Sequence, residues 1–205
     1  MPDETLETCT AGAGTLLIEF GTLSRLTGNH IYEEKAMAAL KKLWHYRSNL
    51  DLVGNVINIA SGKWIHPKSS IGAGADSYYE YLLKAYILFG TEELFDMFNK
   101  SYIAIEKHNR RGGWYLDVNM HSGELTGENI DSLQAFWPAV QVLCGDINRA
   151  VETHNKLHIV SKSLGFLPEA FNVKSAAPLS YAINYPLRPE CKCRFFKMYG
   201  KNDSG

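Results

Sequence analysis

The stretch that decides the fold reads IGAGADSYYEYLLKAY and occupies residues 71–86. Small residues lead to Asp76 and Ser77, and an aromatic, leucine-rich segment follows directly. A short side-chain oxygen at this position can accept the free N–H groups of a first helical turn, so the pattern predicts a helix with Asp76 or Ser77 as its N-cap. Because glycine has no side chain, a ligand could also approach the backbone closely here, and Asp76 would then be a catalytic carboxylate. The residues by themselves favour the cap.

Apolar residues that recur at helical spacing predict six helices, and short turns predict two hairpins between them. The predicted helices are residues 12–26, 31–46, 76–89, 92–109, 131–143 and 147–164. The hairpins are predicted around residues 60–62 and 122–123, and an irregular connector is predicted over residues 168–185. Residues 187–190 indicate the opening of a seventh helix with Pro189 near its start.

The odd-numbered helices recur at a regular interval, which indicates a repeat. They begin near positions 12, 76, 131 and 188, a spacing of about 60 residues that is typical of stacked helical hairpins in an α-solenoid or an α/α toroid. In a toroid, the odd helices would line the inside and present their N-termini to one face. Asp76, Asp131 and Glu190 all lie near such starts, so the spacing predicts acidic groups at one mouth.

Composition and charge exclude some classes of function. The 205 residues suffice for one domain with a core, and 21 basic residues against 22 acidic ones indicate neither nucleic acid nor an anionic membrane surface as partner. No apolar run reaches the ~18 residues of a membrane span. The acidic segment Met1-Pro2-Asp3-Glu4 lacks the features of a signal peptide, which taken literally predicts a cytosolic protein.

The metal-binding residue types form no recognisable ligand set. The four cysteines are interpreted as isolated thiols rather than as a zinc site, and none of the seven histidines is interpreted as a metal ligand. Two acceptor triplets for N-glycosylation occur, at Asn99-Lys100-Ser101 and Asn202-Asp203-Ser204.

Five segments of the chain resemble glycoside hydrolase family 47, the class I α1,2-mannosidases, and most closely its branch of endoplasmic reticulum (ER) degradation-enhancing α-mannosidase-like proteins. They follow the family's order and cover almost everything up to residue 190. The segments are TCTAGAGTLLIEFGTLSRLTG (8–28), GAGADSYYEYLLKAY (72–86), DSLQAFWPAVQVLCGDI (131–147), GFLPEAF (165–171) and YPLRPE (185–190). Gly74 and Ser132 stand where the single-mannose-trimming ER enzymes carry an arginine and a histidine, which also fits this branch.

The resemblance implies a fold and an activity. The fold would be all-α, an incomplete (α/α)7 toroid of helical hairpins with short β-hairpins in the connecting loops, in which residues 1–190 form a partial mannosidase domain and residues 191–205 a divergent tail. The activity would be hydrolysis of terminal α1,2-linked mannose, with inversion, on high-mannose N-glycans of misfolded glycoproteins in the ER lumen. Calcium would hold sugar hydroxyls.

The resemblance also implies site residues. Asp76 and Glu190 match the family's catalytic carboxylates, with Glu190 as the base and Asp76 acting on the water or the leaving group. Arg188 would orient glycan hydroxyls or Glu190, and Asp131 is as much a candidate cap as a sugar contact. Glu19 and Glu169 are weaker candidates.

Two elements of the family pattern are missing from the sequence. One is the helix with the general acid, which lies upstream in the family, and the other is the Asn-Thr-Glu-Ala-His element whose threonine holds calcium. Their absence predicts an internal fragment without calcium ligands. It also leaves open a different class, a non-catalytic lectin-like binder of glycans or misfolded glycoproteins. A plain α-solenoid scaffold would require the five matching segments to be coincidental.

Overall fold

A computed structural model describes residues 5–184 of the chain. The predicted seventh helix, the predicted tail and the candidate residues Arg188 and Glu190 lie outside this range. The prediction that the carboxyl groups of Asp76 and Glu190 face one cavity therefore stays a prediction.

Three helical hairpins make up most of the described chain, each from two helices joined by two or three residues. A short helix α1 (Thr10–Gly14) precedes the first pair. The pairs are α2 (Leu17–Thr27) with α3 (Ile31–His45), α4 (Asp76–Phe89) with α5 (Glu92–His108), and α6 (Trp137–Leu143) with α7 (Ile147–Leu164). Gly28 and Gly90 end α2 and α4 at φ of 74° and 71°, where a side chain would be strained, so glycine allows the chain to reverse within so few residues. The all-α prediction is confirmed.

Short strands occupy the loops between the hairpins. The strands are β1 (Glu7–Cys9), β2 (Val56–Asn58), β3 (Trp64–His66), β4 (Lys68–Ser69), β5 (Arg110–Arg111), β6 (Trp114–Tyr115), β7 (Val118–Asn119), β8 (Asn129–Asp131), β9 (Ala170–Asn172) and β10 (Ala177–Pro178). All pair antiparallel, in the orders β1-β2-β3 and β8-β9-β10 and as the pairs β4-β7 and β5-β6.

The first predicted hairpin is confirmed and the second is partly wrong. β2 and β3 pair across residues 59–63, and β1 adds a third strand. In the second hairpin Val118 bridges Leu125, as predicted. Strand β6, however, pairs with the preceding strand β5 and not with the residues that follow the turn. The connector over residues 168–185 is more regular than predicted, because β9 and β10 extend the sheet that β8 begins.

Two predicted helices are interrupted. The first is split into α1 and α2 at Thr15 and Leu16, where the Thr15 hydroxyl donates to the carbonyl of Ala11 and so competes with the helical bonding. The predicted fifth helix begins as strand β8, continues as a 3₁₀ helix (Ser132–Phe136), and becomes α6 only at Trp137.

The core lies where the three hairpins meet. Tyr78, Tyr79 and Leu82 of α4 are buried, and Trp137 at the start of α6 is fully enclosed. The Trp137 ring centroid lies 5.9 Å from that of Tyr79 and 5.7 Å from that of Tyr102, so one tryptophan joins α4, α5 and α6. None of the described helices is both long and apolar enough to cross a membrane.

Candidate active site

The candidate site is built around the turn of residues 72–75, here called the glycine turn, which leads into α4. The N–H groups of Ala75 and Asp76 both donate to the carbonyl of Gly72, at 3.1 and 2.9 Å. The residue at the N-cap is Ala75, which has no capping side chain, and Asp76 is the first helical residue. The prediction that Asp76 or Ser77 caps the helix is therefore wrong, because the turn already satisfies the backbone at that position.

Three separate elements hold the glycine turn in place. The Asn55 amide donates to the carbonyl of Ala73 at 2.8 Å, and Asp131 Oδ2 accepts the N–H of Ala73 at 3.1 Å. The N–H of Ala11, in α1, donates to the carbonyl of Gly74 at 2.8 Å. The start of α4 is thus positioned by contacts far apart in sequence.

The two glycines of the turn make room for protein side chains. A Cβ atom on Gly72 would lie 2.0 Å from Asp131 Oδ2, and one on Gly74 would lie 2.0 Å from Asn55 Oδ1. Gly74 also has φ of 89°, which disfavours any side chain. The expectation that these glycines open space for a ligand is therefore wrong in this detail: Asp131 and Asn55 occupy that space.

Asp76 is half-buried at the first position of α4. Its Oδ1 atom accepts the N–H of Ser77 at 2.9 Å. The positive end of the helix dipole points toward such a position. A carboxyl group that is held at its backbone and partly exposed is suited to contact a substrate.

Asp131 is brought to the same end of the hairpins as Asp76, since it ends β8 and bonds to the glycine turn. Burial raises the pKa of its carboxyl to about 6, although the bond from Ala73 opposes the rise. Its Oδ1 atom is buried and makes no hydrogen bond of good geometry among residues 5–184. The backbone N–H groups of Leu133 and Gln134 interact with the carboxyl and oppose the rise in its pKa, so Asp131 stands at the capping position of the 3₁₀ helix without a well-formed capping bond. The geometry therefore shows a brace for the glycine turn, and the predicted sugar contact stays a prediction.

Other polar groups surround this end of the molecule. The Ser132 hydroxyl donates to Glu169 Oε2 at 3.1 Å, and the Ser132 N–H donates to the Glu169 carbonyl. Glu169 is half-buried, although loop carboxylates usually face water. Asp117, which adds to the rise in the Asp131 pKa, forms an ion pair with Lys68 at 2.8 Å. Sequence analysis missed Asn55, Lys68 and Asp117, because no local pattern marks residues that meet only through folding.

The weaker candidate Glu19 lies on α2 and contacts α4. The Tyr81 hydroxyl donates to Glu19 Oε1 at 2.5 Å, and this bond is the main cause that raises the Tyr81 pKa to about 12. Glu19 is exposed and Tyr81 half-buried. The pair links two helices that were predicted to line the inside of the toroid.

The described residues do not fit a metal ion. Within residues 5–184, no three His, Cys, Asp or Glu side chains are grouped so that they could hold one. One carboxyl oxygen of Asp131 accepts the N–H of Ala73 and the other is buried, so this side chain is a poor metal ligand.

Comparison with solved structures shows the class of fold. The chain superposes on an alpha-1,2-mannosidase from Trichoderma reesei with a TM-score of 0.70 at 20% identity, covering 90% of this chain and 46% of that one. This likeness confirms the fold of helical hairpins predicted as part of an (α/α)7 toroid.

Comparison of sequences then shows the family. Residues 2–200 match the model of Glycosyl hydrolase family 47, and the chain belongs to that family. It is 48% identical over 199 residues to Alpha-mannosidase I MNS5 of Arabidopsis thaliana, covering 97% of this chain and 35% of the relative. It is 44% identical over 189 residues to human ER degradation-enhancing alpha-mannosidase-like protein 2, covering 92% and 33%. The chain thus spans about a third of the length of these relatives.

Proposed function

We propose that this chain supplies part of the active site of an α-mannosidase that removes terminal α1,2-linked mannose from high-mannose N-glycans. The observation that supports this most directly is the placement of Asp76. It begins α4 at the end of a turn that Asn55 and Asp131 hold from two other elements, within a chain that belongs to a glycosidase family. A carboxylate fixed in this way meets the positional demand of glycoside hydrolysis.

The proposed reaction is an inverting hydrolysis. Inversion needs one carboxyl group to protonate the leaving oxygen and a carboxylate to activate water on the opposite face of the sugar, the two being roughly 6.5–9.5 Å apart. Glu190 is proposed as the base and Asp76 as the second carboxylate, which acts on the water or the leaving group. Arg188 is proposed to orient glycan hydroxyls or Glu190.

Asp131 is proposed to act mainly by positioning, with a contact to the substrate as a further role. Its bond to Ala73 fixes the backbone three residues before Asp76. With a pKa of about 6 it is mostly ionised at neutral pH, which strengthens its acceptance of that N–H. Loss of the bond would let the turn shift, and small misplacements of a reacting group can cost about 100-fold in rate.

The proposed setting is the ER, and the proposed substrates are misfolded glycoproteins. The support is the similarity to relatives such as human ER degradation-enhancing alpha-mannosidase-like protein 2. Calcium is proposed as a metal of the whole active site, held outside residues 5–184.

A chimera tests the proposal. In it, residues 5–184 replace the matching third of Alpha-mannosidase I MNS5, and mannose release from a high-mannose glycan is measured with and without a calcium chelator. We expect release that falls at least 100-fold in Asp76→Asn, because a positioned acid or base contributes about that much or more. Asp96→Asn is the matched control, since Asp96 is an exposed partner of Lys100 on α5.

The same measurement separates the alternative class. If the chimera retains the glycan but releases no mannose, and Asp76→Asn changes nothing, the lectin-like reading replaces the enzymatic one. Release that is the same in Asp76→Asn and Asp96→Asn would contradict the role given to Asp76.

A further inference from the structure

Asn99, in the middle of α5, is exposed, and among residues 5–184 its side chain has no hydrogen-bond partner. It is the first residue of the acceptor triplet Asn99-Lys100-Ser101. An exposed asparagine at an acceptor triplet is chemically able to carry an N-linked glycan. We propose that Asn99 is an N-glycosylation site whose first sugar packs into the cavity beside it.

The third residue of the triplet supports the proposal independently. Ser101 is 1% exposed, and its hydroxyl is buried with no hydrogen-bond partner in the described part of the chain. A buried polar group without a partner lowers stability, and alanine would fill the same space without that cost. Packing therefore does not explain the hydroxyl, whereas the acceptor triplet requires it.

The surface around Asn99 is shaped to hold a sugar. A cavity of about 350 Å³ lies beside it, lined by Phe95 one helical turn earlier and by Gly145, Asp146 and Arg149. The Phe95 side chain is 39% exposed, so its ring can receive the apolar face of an N-acetylglucosamine. Asp146 and Arg149 add polar groups to the lining, with which sugar hydroxyls could form hydrogen bonds.

The cavity lies away from the glycine turn. α4 leads away from that turn and α5 returns, so the first half of α5 lies toward the opposite end of the hairpin. The cavity also includes the connection from α6 to α7, which α6 reaches by leading away from Asp131. A glycan on Asn99 would therefore leave the candidate active site open.

The burial of Ser101 sets the order of events. The transferring enzyme must reach both Asn99 and Ser101, and in the folded chain Ser101 is enclosed by its neighbours. Modification must therefore precede the docking of α5. In this step Asn99 Nδ2 forms a bond to C1 of the first sugar while the bond from C1 to the diphosphate oxygen of a lipid-linked oligosaccharide donor breaks. The diphosphate leaves with the electron pair, and the Nδ2 proton passes to the transferring enzyme.

The glycosylation proposal rests on the proposed ER location. The experiment therefore directs the chain into ER-derived microsomes, so that its result does not depend on where the protein is found in the cell. The whole chain is given a signal peptide and translated with microsomes, in an Asn202→Gln background that removes the second triplet. We expect a mass increase of one oligosaccharide, removed by an N-glycosidase and lost in Asn99→Gln and in Ser101→Ala. Ser101→Thr, which keeps the hydroxyl, should retain the increase.

Two further measurements, of Tm and of mannose release, complete the test. Phe95→Ala should leave the mass increase unchanged but abolish the difference in Tm between the glycosylated and unglycosylated chimera. Asn99→Gln should alter mannose release by less than twofold, so a failed site and a failed enzymatic function give different results. No mass increase at Asn99 while a reporter triplet is modified, or an increase that survives Ser101→Ala, would overturn the proposal. An unchanged Tm difference in Phe95→Ala would overturn the packing of the sugar on Phe95.

Discussion

Asp131 is a carboxylic acid whose ionisation differs between the folded and the unfolded chain. Its pKa rises from 3.8 to about 6 on folding, mainly through burial. A raised pKa means that the folded state binds the proton more tightly, so this stabilising contribution is full below about pH 4 and is lost as the pH rises through 6. The difference amounts to about 3 kcal/mol.

We expect Asp131→Asn to remove this pH dependence. The amide keeps an oxygen that can accept the N–H of Ala73 but does not titrate. Between pH 4 and pH 7, Tm of the chimera should change less in the variant than in the parent. Measuring Tm at four pH values in this window tests it, with Asp96→Asn as the control. Equal slopes for parent and variant would show that Asp131 does not titrate as a buried acid.

Gly72 has a different kind of constraint, since the close approach of Asp131 excludes any side chain there. In Gly72→Ala the new Cβ would meet Asp131 Oδ2 at 2.0 Å, and the short, buried carboxylate has little room to move. We expect a loss of about 1–3 kcal/mol in stability, typical of overpacking, with a fall in mannose release because the turn before Asp76 shifts.

The matched control for that variant is Gly127→Ala. A Cβ at Gly127 would meet nothing within 4 Å, and neither glycine has a positive φ. The contact with Asp131 is therefore the main difference between the two substitutions. The cost of Gly72→Ala should also shrink in an Asp131→Ala background, and an unchanged cost there would contradict the assigned clash.

At the level of elements, α5 and α7 are joined by a cluster of charges around Glu106. Glu106 Oε2 lies 3.0 Å from Arg149 Nε, and Glu106 Oε1 accepts a hydrogen bond from the Tyr115 hydroxyl. Its side chain is 11% exposed, and burial raises its pKa despite the neighbouring arginines. Arg149 in turn pairs with Asp146, which caps α7 by accepting the Arg149 N–H.

We expect Glu106→Ala to cost about 1–3 kcal/mol, because it leaves the buried Tyr115 hydroxyl without its acceptor, whereas Arg149 is partly exposed and keeps Asp146 as a partner. Asp96→Ala, on the same helix, breaks an exposed pair with Lys100 and should cost no more than about 1 kcal/mol. Thermal melting of the chimera measures both. Equal costs would mean that the cluster does not stabilise the contact between α5 and α7.

Helices α4 and α7 could be predicted to the residue because their signals are local. Each combines a regular apolar spacing with glycine at its end. The structure of residues 129–136 could not be predicted in this way, because Asp131 pairs in a sheet with Ala170, 39 positions later in the chain. The same holds for the site: Asp76 lies in a recognisable motif, whereas Asn55 was missed because its amide meets the glycine turn only after folding.

At the level of the whole molecule, large apolar side chains are exposed on each of the three hairpins. Leu26 of α2 is 81% exposed and Ile159 of α7 is 63% exposed, and Ile87 and Leu88 of α4 are also open. Apolar side chains that would be covered by neighbouring hairpins favour association when they stay uncovered. Each such side chain left uncovered forgoes burial worth about 25 cal/mol per Å², which is substantial beside a net stability of about 5–15 kcal/mol.

We therefore expect residues 1–205, expressed alone, to associate and to release little or no mannose. Light scattering, thermal melting and glycan release measure this directly, and the chimera is the control in which the same helices have neighbours. A sharp, cooperative melt of a monomer with calcium-dependent mannose release would contradict the expectation.

The enclosure of Trp137 makes these transitions visible by optical spectroscopy. Its indole is shielded from water, and the rings of Tyr79, Tyr102 and Tyr115 have their centroids within 6 Å of it. Emission from this indole should lie at short wavelength, and light absorbed by the three tyrosines should be transferred to it efficiently. Separation of α4 or α5 from α6 should shift the emission to longer wavelength and reduce that transfer. With the other three tryptophans of the chain replaced by phenylalanine, the fluorescence of Trp137 therefore reports when these helices come apart.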